Sequence, residues 1–259
     1  MINYKNLEKY QKNDFINASP FEHVVIDNFC DEIKLSKSLE YLENPENSGV
    51  NRSRDFIFAK NKFEKSDFNL ICDEYHELKA DLMSDKFKNF LKKITGENIF
   101  IDPDFHGGGL HQGGKDSFLD MHVDFNYHPH NHNWFRNINI LIYLNKNWKK
   151  NYGGELKIRD GRKMNSQYHL IEPLFNRAVI MFTRDYTYHG YDRISFPDGK
   201  FRRSIAAYGY TIKKHDEKVR TTVWYPENKS TMKKFIGKHM PKLVKLKSFI
   251  FGSGTTKNK

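Results

Sequence analysis

The stretch RNINILIYLN (136–145) alternates with a period of two: Ile138, Ile140, Ile142 and Leu144 fall on one face, Asn137, Asn139, Leu141 and Tyr143 on the other. That period marks a strand. An aliphatic back and an amide-and-phenol front predict a packed shell behind a polar cavity. FEHVVIDNF (21–29) alternates in the same way and is predicted to be a strand. DEIKLSKSLEYLEN (31–44) reads as an amphipathic helix ending before Pro45. A second helical region runs from about Asp67 to Ile94 and stops at Gly96; Leu70, Ile71, Leu78, Leu82, Phe87, Phe90 and Leu91 recur along it at helical spacing. After Gly96 the texture changes to short alternating runs separated by Gly, Pro, Asn and Asp. Strands are predicted near 98–101, 105–111, 117–124, 137–144, 155–159, 168–171, 178–182 and 202–212. Strands at this pitch indicate a sandwich or barrel. The expected class is mainly β with buttressing helices (α+β).

The pattern divides the chain into an N-terminal strand and helical buttress (1–97), a β core (98–212) and a C-terminal extension (213–259). In the extension, Met232, Phe235, Ile236, Leu243 and Leu246 can share one stripe of a basic helical tail that Pro241 must kink. Charge is concentrated there. Residues 213–259 hold 13 Lys/Arg against 3 Asp/Glu, leaving 30 against 29 for the rest of a chain whose net charge is +11. The basicity therefore belongs to the tail and not to the β core. An anionic surface or acidic partner is the functional reading of such a tail; a solvated face is the plain one. The near-neutral core and the lack of interleaved aromatics in the tail disfavour nucleic acid as a partner. No apolar run approaches the length of a transmembrane segment, and the opening MINYKNLEKYQKND has no apolar core of a secretory signal. Cys30 and Cys72 match no zinc spacing, so a reducing cytoplasm is the expected setting.

The candidate chemistry lies in SFLDMHVDF (117–125). On a strand, His122 and Asp124 project from the same face. One imidazole and one carboxylate then converge, and a second imidazole from another strand would complete a facial three-ligand set with open positions opposite, the arrangement of non-haem Fe(II) oxygenases. His189, in RDYTYHGYD, is the candidate for that imidazole. The plain alternatives are a surface strand pair for His122 and Asp124 and a turn histidine for His189. RRSIAAYGY (202–210) puts Arg202 and Ser204 on one face, and a guanidinium beside a hydroxyl suits the distal end of a dicarboxylate. A solvated or ion-paired Arg202 and a plain core Tyr143 are the competing readings. His128, His130 and His132, set among Pro129 and Asn residues, read as exposed loop histidines, with substrate contact as the minority reading. His106 and His111, beside Gly107–Gly109, read similarly.

H-x-D, then YLN, then Trp148 with GGEL, then His189-Gly, then R-x-S closely resembles the prolyl 4-hydroxylase-like branch of the 2-oxoglutarate/Fe(II)-dependent dioxygenases, over roughly residues 98–212. The resemblance implies a double-stranded β-helix (jelly-roll) core with Fe(II) at His122, Asp124 and His189. It implies that Arg202, with Tyr143 and Ser204 beside it, holds the distal carboxylate of 2-oxoglutarate, and that Asn139, Leu156 and Tyr208 line the pocket. Arg203 is the competing arginine; Arg202 is preferred because it shares a face with Ser204. The implied activity is hydroxylation of a C–H bond using O2, with release of succinate and CO2 and with ascorbate as a reductant. A peptidyl proline, a small molecule and a saccharide or lipid-linked unit stay open as substrates. The competing function is a non-catalytic β-fold binding module recruited through the basic tail.

Overall fold

The computed structural model describes residues 1–45, 51–52, 55, 57–163, 166–213, 219–226, 232–233 and 235–237. The N-terminal part supplies α1 (Tyr4–Leu7), α2 (Lys12–Ile16), β1 (His23–Ile26), α3 (Glu32–Ser38), β2 (Asn51–Arg52), β3 (Ala59–Lys65), α4 (Asp73–Met83) and α5 (Asp85–Thr95). The strands that follow are β4 (Phe100–Ile101), β5 (Gly109–Val123), β6 (Trp134–Tyr143), β7 (Leu156–Asp160), β8 (His169–Ile171), β9 (Ala178–Phe182), β10 (Thr187–Tyr191), β11 (Arg202–Ile212) and β12 (Val223–Trp224).

The helical region expected over 67–94 is a short 3-10 turn followed by two helices, broken where Ser84 leaves helical backbone. The Ser84 side chain accepts from Phe87 N, Asp85 sits in the first turn of α5, Lys92 and Lys93 sit in its last, and Gly96 ends it at φ 80°. Phe87, Phe90, Leu91 and Ile94 of α5 join Leu78 and Leu82 of α4 in one cluster with Ile138, Ile140, Ile142, Ile180 and Ile205. The aliphatic back of β6 is therefore the surface on which the helices pack, and its other face is left for the site.

The sheet is antiparallel and curled, in the order β1-β9-β6-β11-β5-β10-β7-β8. The long strand β5 belongs to both halves. Its residues 109–113 pair with β11, while Leu119 and His122 pair with β10. Between these pairings the register of β3 against β5 shifts, and Asp116 takes φ 62°. The bend turns one strand from the first layer into the second and opens the space between them. The result is mainly β, with two facing layers as in a jelly roll. At Gly109 a Cβ would stand 2.2 Å from the Lys65 carbonyl oxygen, so β3 approaches β5 there only because no side chain intervenes.

Four strands were not expected from the alternation: β2, β3, β10 and β12. The last comes from the C-terminal extension. Residues 219–226 return to the core, where Val223 and Trp224 pair with Val123 and His122. The basic helical tail expected beyond Lys229 lies outside the described residues except at 232–233 and 235–237, which are helical. Among the described residues no helix is long and apolar enough to cross a membrane.

Candidate metal centre and cosubstrate pocket

His122 lies near the end of β5, and Asp124 one residue beyond it. His189 lies in β10 as the cross-strand partner of His122, with ring centroids 4.3 Å apart. His122, Asp124 and His189 are all buried, and one ligand atom from each falls within 4.8 Å of the others. Asp124 Oδ1 is 3.5 Å from His122 Nε2, and Oδ2 is 3.3 Å from His189 Nε2.

Each imidazole has its other nitrogen on a backbone carbonyl. His122 Nδ1 lies 2.9 Å from Asp120 O, and His189 Nδ1 lies 3.2 Å from Thr187 O. A carbonyl only accepts, so these contacts assign the proton to Nδ1 and leave both Nε2 lone pairs facing the carboxylate. Burial, followed by the neighbouring His189, also pushes the His122 pKa down, toward the neutral ring. Burial alone would raise the Asp124 carboxyl, but the Arg136 guanidinium and the two histidines hold it well below the usual range. With both rings neutral, two Nε2 lone pairs and a carboxylate oxygen converge. That grouping repels itself unless a cation occupies its centre, and the donor set with an open side suits Fe(II).

The triad opens into a cavity of about 280 Å³ lined by Arg202, Ser204, Leu141, Leu156, Asn139 and Tyr208, among others. Arg202 is buried. Its Nε donates to Gly154 O at 2.6 Å, its NH2 lies 3.4 Å from Tyr143 Oη, and its guanidinium stands 4.3 Å from the Tyr191 ring centre. Tyr143 sits behind Arg202 rather than in the cavity wall, and it is the cross-strand partner of Ser204. Among the described residues no carboxylate pairs with Arg202. Arg203 points the other way: its Nε donates to Gln112 Oε1 and its NH2 to Glu43 O.

Two histidine readings need correction. His128 is buried, not exposed: its Nδ1 accepts from the backbone N–H groups of His130 and Asn131, so the ring organises its own turn, and it does not line the cavity. His130 and His132 are exposed, as expected of a loop. His111 is also buried; its ring lines the cavity, with Nε2 3.2 Å from Gly107 O, and burial, reinforced by Lys62, lowers its pKa to about 3.

Arg136 was not anticipated. Read by strict alternation, it shares the aliphatic face of Ile138. In the structure Tyr210 pairs with Arg136 while the adjacent Gly209 pairs with Ile138, so β6 carries one extra residue at Asn137. That bulge swings Arg136 to the cavity side, where its NH2 meets Asp124 Oδ2 at 3.0 Å. Asn137 leaves the front face, and its side-chain and backbone oxygens accept from Arg184 instead. Asn139 donates to Asp124 Oδ2 at 2.7 Å. Arg220 donates to the Asp124 backbone carbonyl, and the Trp224 ring lies 4.8 Å from that of His122, so the C-terminal return strand contributes to the site.

Residues 108–210 match the family described as the 2OG-Fe(II) oxygenase superfamily. No curated protein matches the sequence. Among solved structures, the chain is similar to a prolyl-4-hydroxylase from Pseudomonas putida, with 12% identity, a TM-score of 0.53 and coverage of 77% of this chain and 97% of that one. It is also similar to a prolyl hydroxylase from Trichoplax adhaerens, solved with a hypoxia inducible factor oxygen degradation domain peptide fragment, with 18% identity, a TM-score of 0.56 and coverage of 80% and 91%. A third is the non-heme alpha ketoglutarate dependent epimerase SnoN from nogalamycin biosynthesis, with 11% identity, a TM-score of 0.53 and coverage of 88% and 86%. At these identities the structures speak for the fold, and the match over 108–210 speaks for the family. The segment that carries the buried triad, the bent strand β5 and Arg202 is thus the part of the chain that matches the 2OG-Fe(II) oxygenase superfamily.

Proposed function

We propose that the protein is a dioxygenase that hydroxylates a C–H bond of a further substrate while converting 2-oxoglutarate to succinate and CO2. The observation that carries this reading is the pairing of two features in one cavity. An acceptor-only triad of His122, Asp124 and His189 lies in it, and so does the buried cation of Arg202, which no described carboxylate neutralises. The first calls for a metal cation and the second for an anion of the cosubstrate's kind.

In this reading His122, Asp124 and His189 hold Fe(II), which when bound supplies the activation of O2. Arg202 receives the distal carboxylate of 2-oxoglutarate. Gly154 O and the rings of Tyr143 and Tyr191 fix its guanidinium beforehand, so little freedom is lost on binding. The Ser204 hydroxyl lies beside that carboxylate, while Tyr143 acts through Arg202. Leu141 and Leu156 form apolar walls that exclude water from the chain of the cosubstrate. Asn139 acts on the metal ligand rather than on the cosubstrate. Tyr208, whose hydroxyl donates to Gly107 O, bounds the opposite wall with Phe125. Peptidyl prolines and small molecules are the substrate classes carried by the structural neighbours, and both are to be screened.

A binding module without catalysis is disfavoured, because it gives no role to a buried triad and a buried Arg202 that open into one cavity. The test is release of labelled CO2 from 2-oxo[1-14C]glutarate by the iron-loaded protein with ascorbate and no substrate. Slow release that disappears in His122→Ala supports the enzyme. No release from the wild type, or equal release from both, removes this reading.

A further inference from the structure

Arg136 is one of the largest side chains fully enclosed by the protein, with 1% of its surface exposed. A guanidinium in that position needs partners, and its partners are specific. Nε and NH2 both donate to Asn139 Oδ1, at 3.0 and 2.7 Å, and NH2 also meets Asp124 Oδ2 at 3.0 Å. The guanidinium lies between two rings, 3.5 Å from the centre of Tyr208 and 4.5 Å from that of Phe125.

The arrangement also fixes Asn139. Because its Oδ1 faces the guanidinium, its Nδ2 must face Asp124, to which it donates at 2.7 Å. Asp124 Oδ2 therefore receives an amide and a guanidinium and also lies 3.3 Å from His189 Nε2, while among the described residues Oδ1 faces His122 Nε2. Oδ2 carries the hydrogen bonds from Asn139 and Arg136, and Oδ1 is the less engaged oxygen.

We propose that Arg136 is a positioning residue for the metal centre: by engaging one oxygen of Asp124 and fixing a buried positive charge beside it, it holds the resident ion in the divalent rather than the trivalent state. This rests on the iron reading above. The physical argument is electrostatic. Asp124 is the one anionic member of the triad, and a trivalent ion gains more from its charge than a divalent one does. A guanidinium 3.0 Å away cancels that charge at longer range, inside a wall where water does not screen it. The ligand set then behaves as nearly neutral, and the extra charge that oxidation creates goes uncompensated. The bulge at Asn137, which spoils the ladder of β6, is the local feature that brings the cation there.

The test is a potentiometric titration of the iron-loaded full chain without 2-oxoglutarate, with the trivalent fraction read by electron paramagnetic resonance. Arg136→Gln still donates a hydrogen bond but carries no charge, Arg136→Met carries neither, and Arg136→Lys keeps the charge. In the Gln and Met variants the trivalent-to-divalent ratio at a given potential should rise at least tenfold, about 59 mV downward in midpoint for one electron. The Lys variant should stay within threefold of the wild type. Using two neutral replacements keeps the result readable if one of them does not fold. Neutral variants within twofold of the wild type would overturn the proposal, as would a Lys variant that shifts as far as they do. A wild type that binds no iron would instead remove the metal reading itself, which the CO2 assay detects separately.

Discussion

Replacing Arg202 by methionine removes the one cation in the cavity that has no described carboxylate partner, while keeping a side chain of similar length against the rings of Tyr143 and Tyr191. In the folded protein the Nε–H is committed to Gly154 O and one N–H of NH2 faces Tyr143 Oη, so the remaining N–H groups are the ones available to a bound carboxylate. Hydrogen bonds to a charged group contribute about 1.5–3 kcal/mol each, and losing a fork of two, which are not additive, should cost about 2–4 kcal/mol of cosubstrate binding. At 1.4 kcal/mol per tenfold, that is a roughly 30- to 700-fold rise in Kd for 2-oxoglutarate. Calorimetric titration of 2-oxoglutarate into Mn(II)-loaded protein measures it without turnover. Arg203→Met is the control. It loses the bond to Gln112 and should cost about 1 kcal/mol of stability but leave the Kd within twofold. If Arg202→Met binds 2-oxoglutarate as the wild type does, or Arg203→Met is the variant that weakens, the assignment of the anion site is wrong.

Three further outcomes follow from the packing. Gly190→Ala would bring a Cβ within 2.5 Å of Leu119 O and 2.9 Å of Asp120 O, both backbone atoms. It should spread β10 from β5 beside the His189–His122 pair and weaken Co(II) binding more than tenfold in a spectroscopic titration. Trp224→Ala removes a ring stacked on Phe58 at 5.1 Å and tilted over His122. Bound iron should then pass to an external chelator several times faster, with about 3 kcal/mol lost in urea unfolding. Ile140→Ala, on the helix-facing side of β6 and fully buried, should cost about 2–5 kcal/mol in the same unfolding assay without changing metal affinity.

The parts of this structure that the sequence made legible are those in which period and chemistry agree. The aliphatic face of β6 was readable because Ile138, Ile140 and Ile142 must be buried together, and burial on one side determines what the other side offers. The clustering of His122, Asp124 and His189 was readable because His122 and Asp124, two residues apart, share a face and leave an obvious need for a second imidazole. Arg202 was separable from Arg203 by its alternation with Ser204. What stayed hidden depends on departures from periodicity. β3, reading AKNKFEK, has too few apolar residues to show as a strand, yet its residues Lys62 and Glu64 line the cavity. β10, reading TYHGY, contains no aliphatic residue. Its strand character comes from pairing on both sides, with β5 and β7. β12 is two residues long and exists only because β5 offers it an edge. Arg136 lay behind a bulge that no alternation rule foresees. His111 and His128 looked exposed because glycine, proline and asparagine surround them, but their burial follows from backbone partners that sequence spacing does not reveal.

The central claim is that His122, Asp124 and His189 hold one ferrous ion whose open side accepts 2-oxoglutarate held by Arg202. Anaerobic addition of Fe(II) and then 2-oxoglutarate to the colourless protein tests it most directly. A weak visible charge-transfer band should appear, saturate at one iron and one cosubstrate per chain, and vanish in His189→Ala. A wild type that stays colourless at saturating concentrations of both, or a His189→Ala protein that develops the same band, would contradict it.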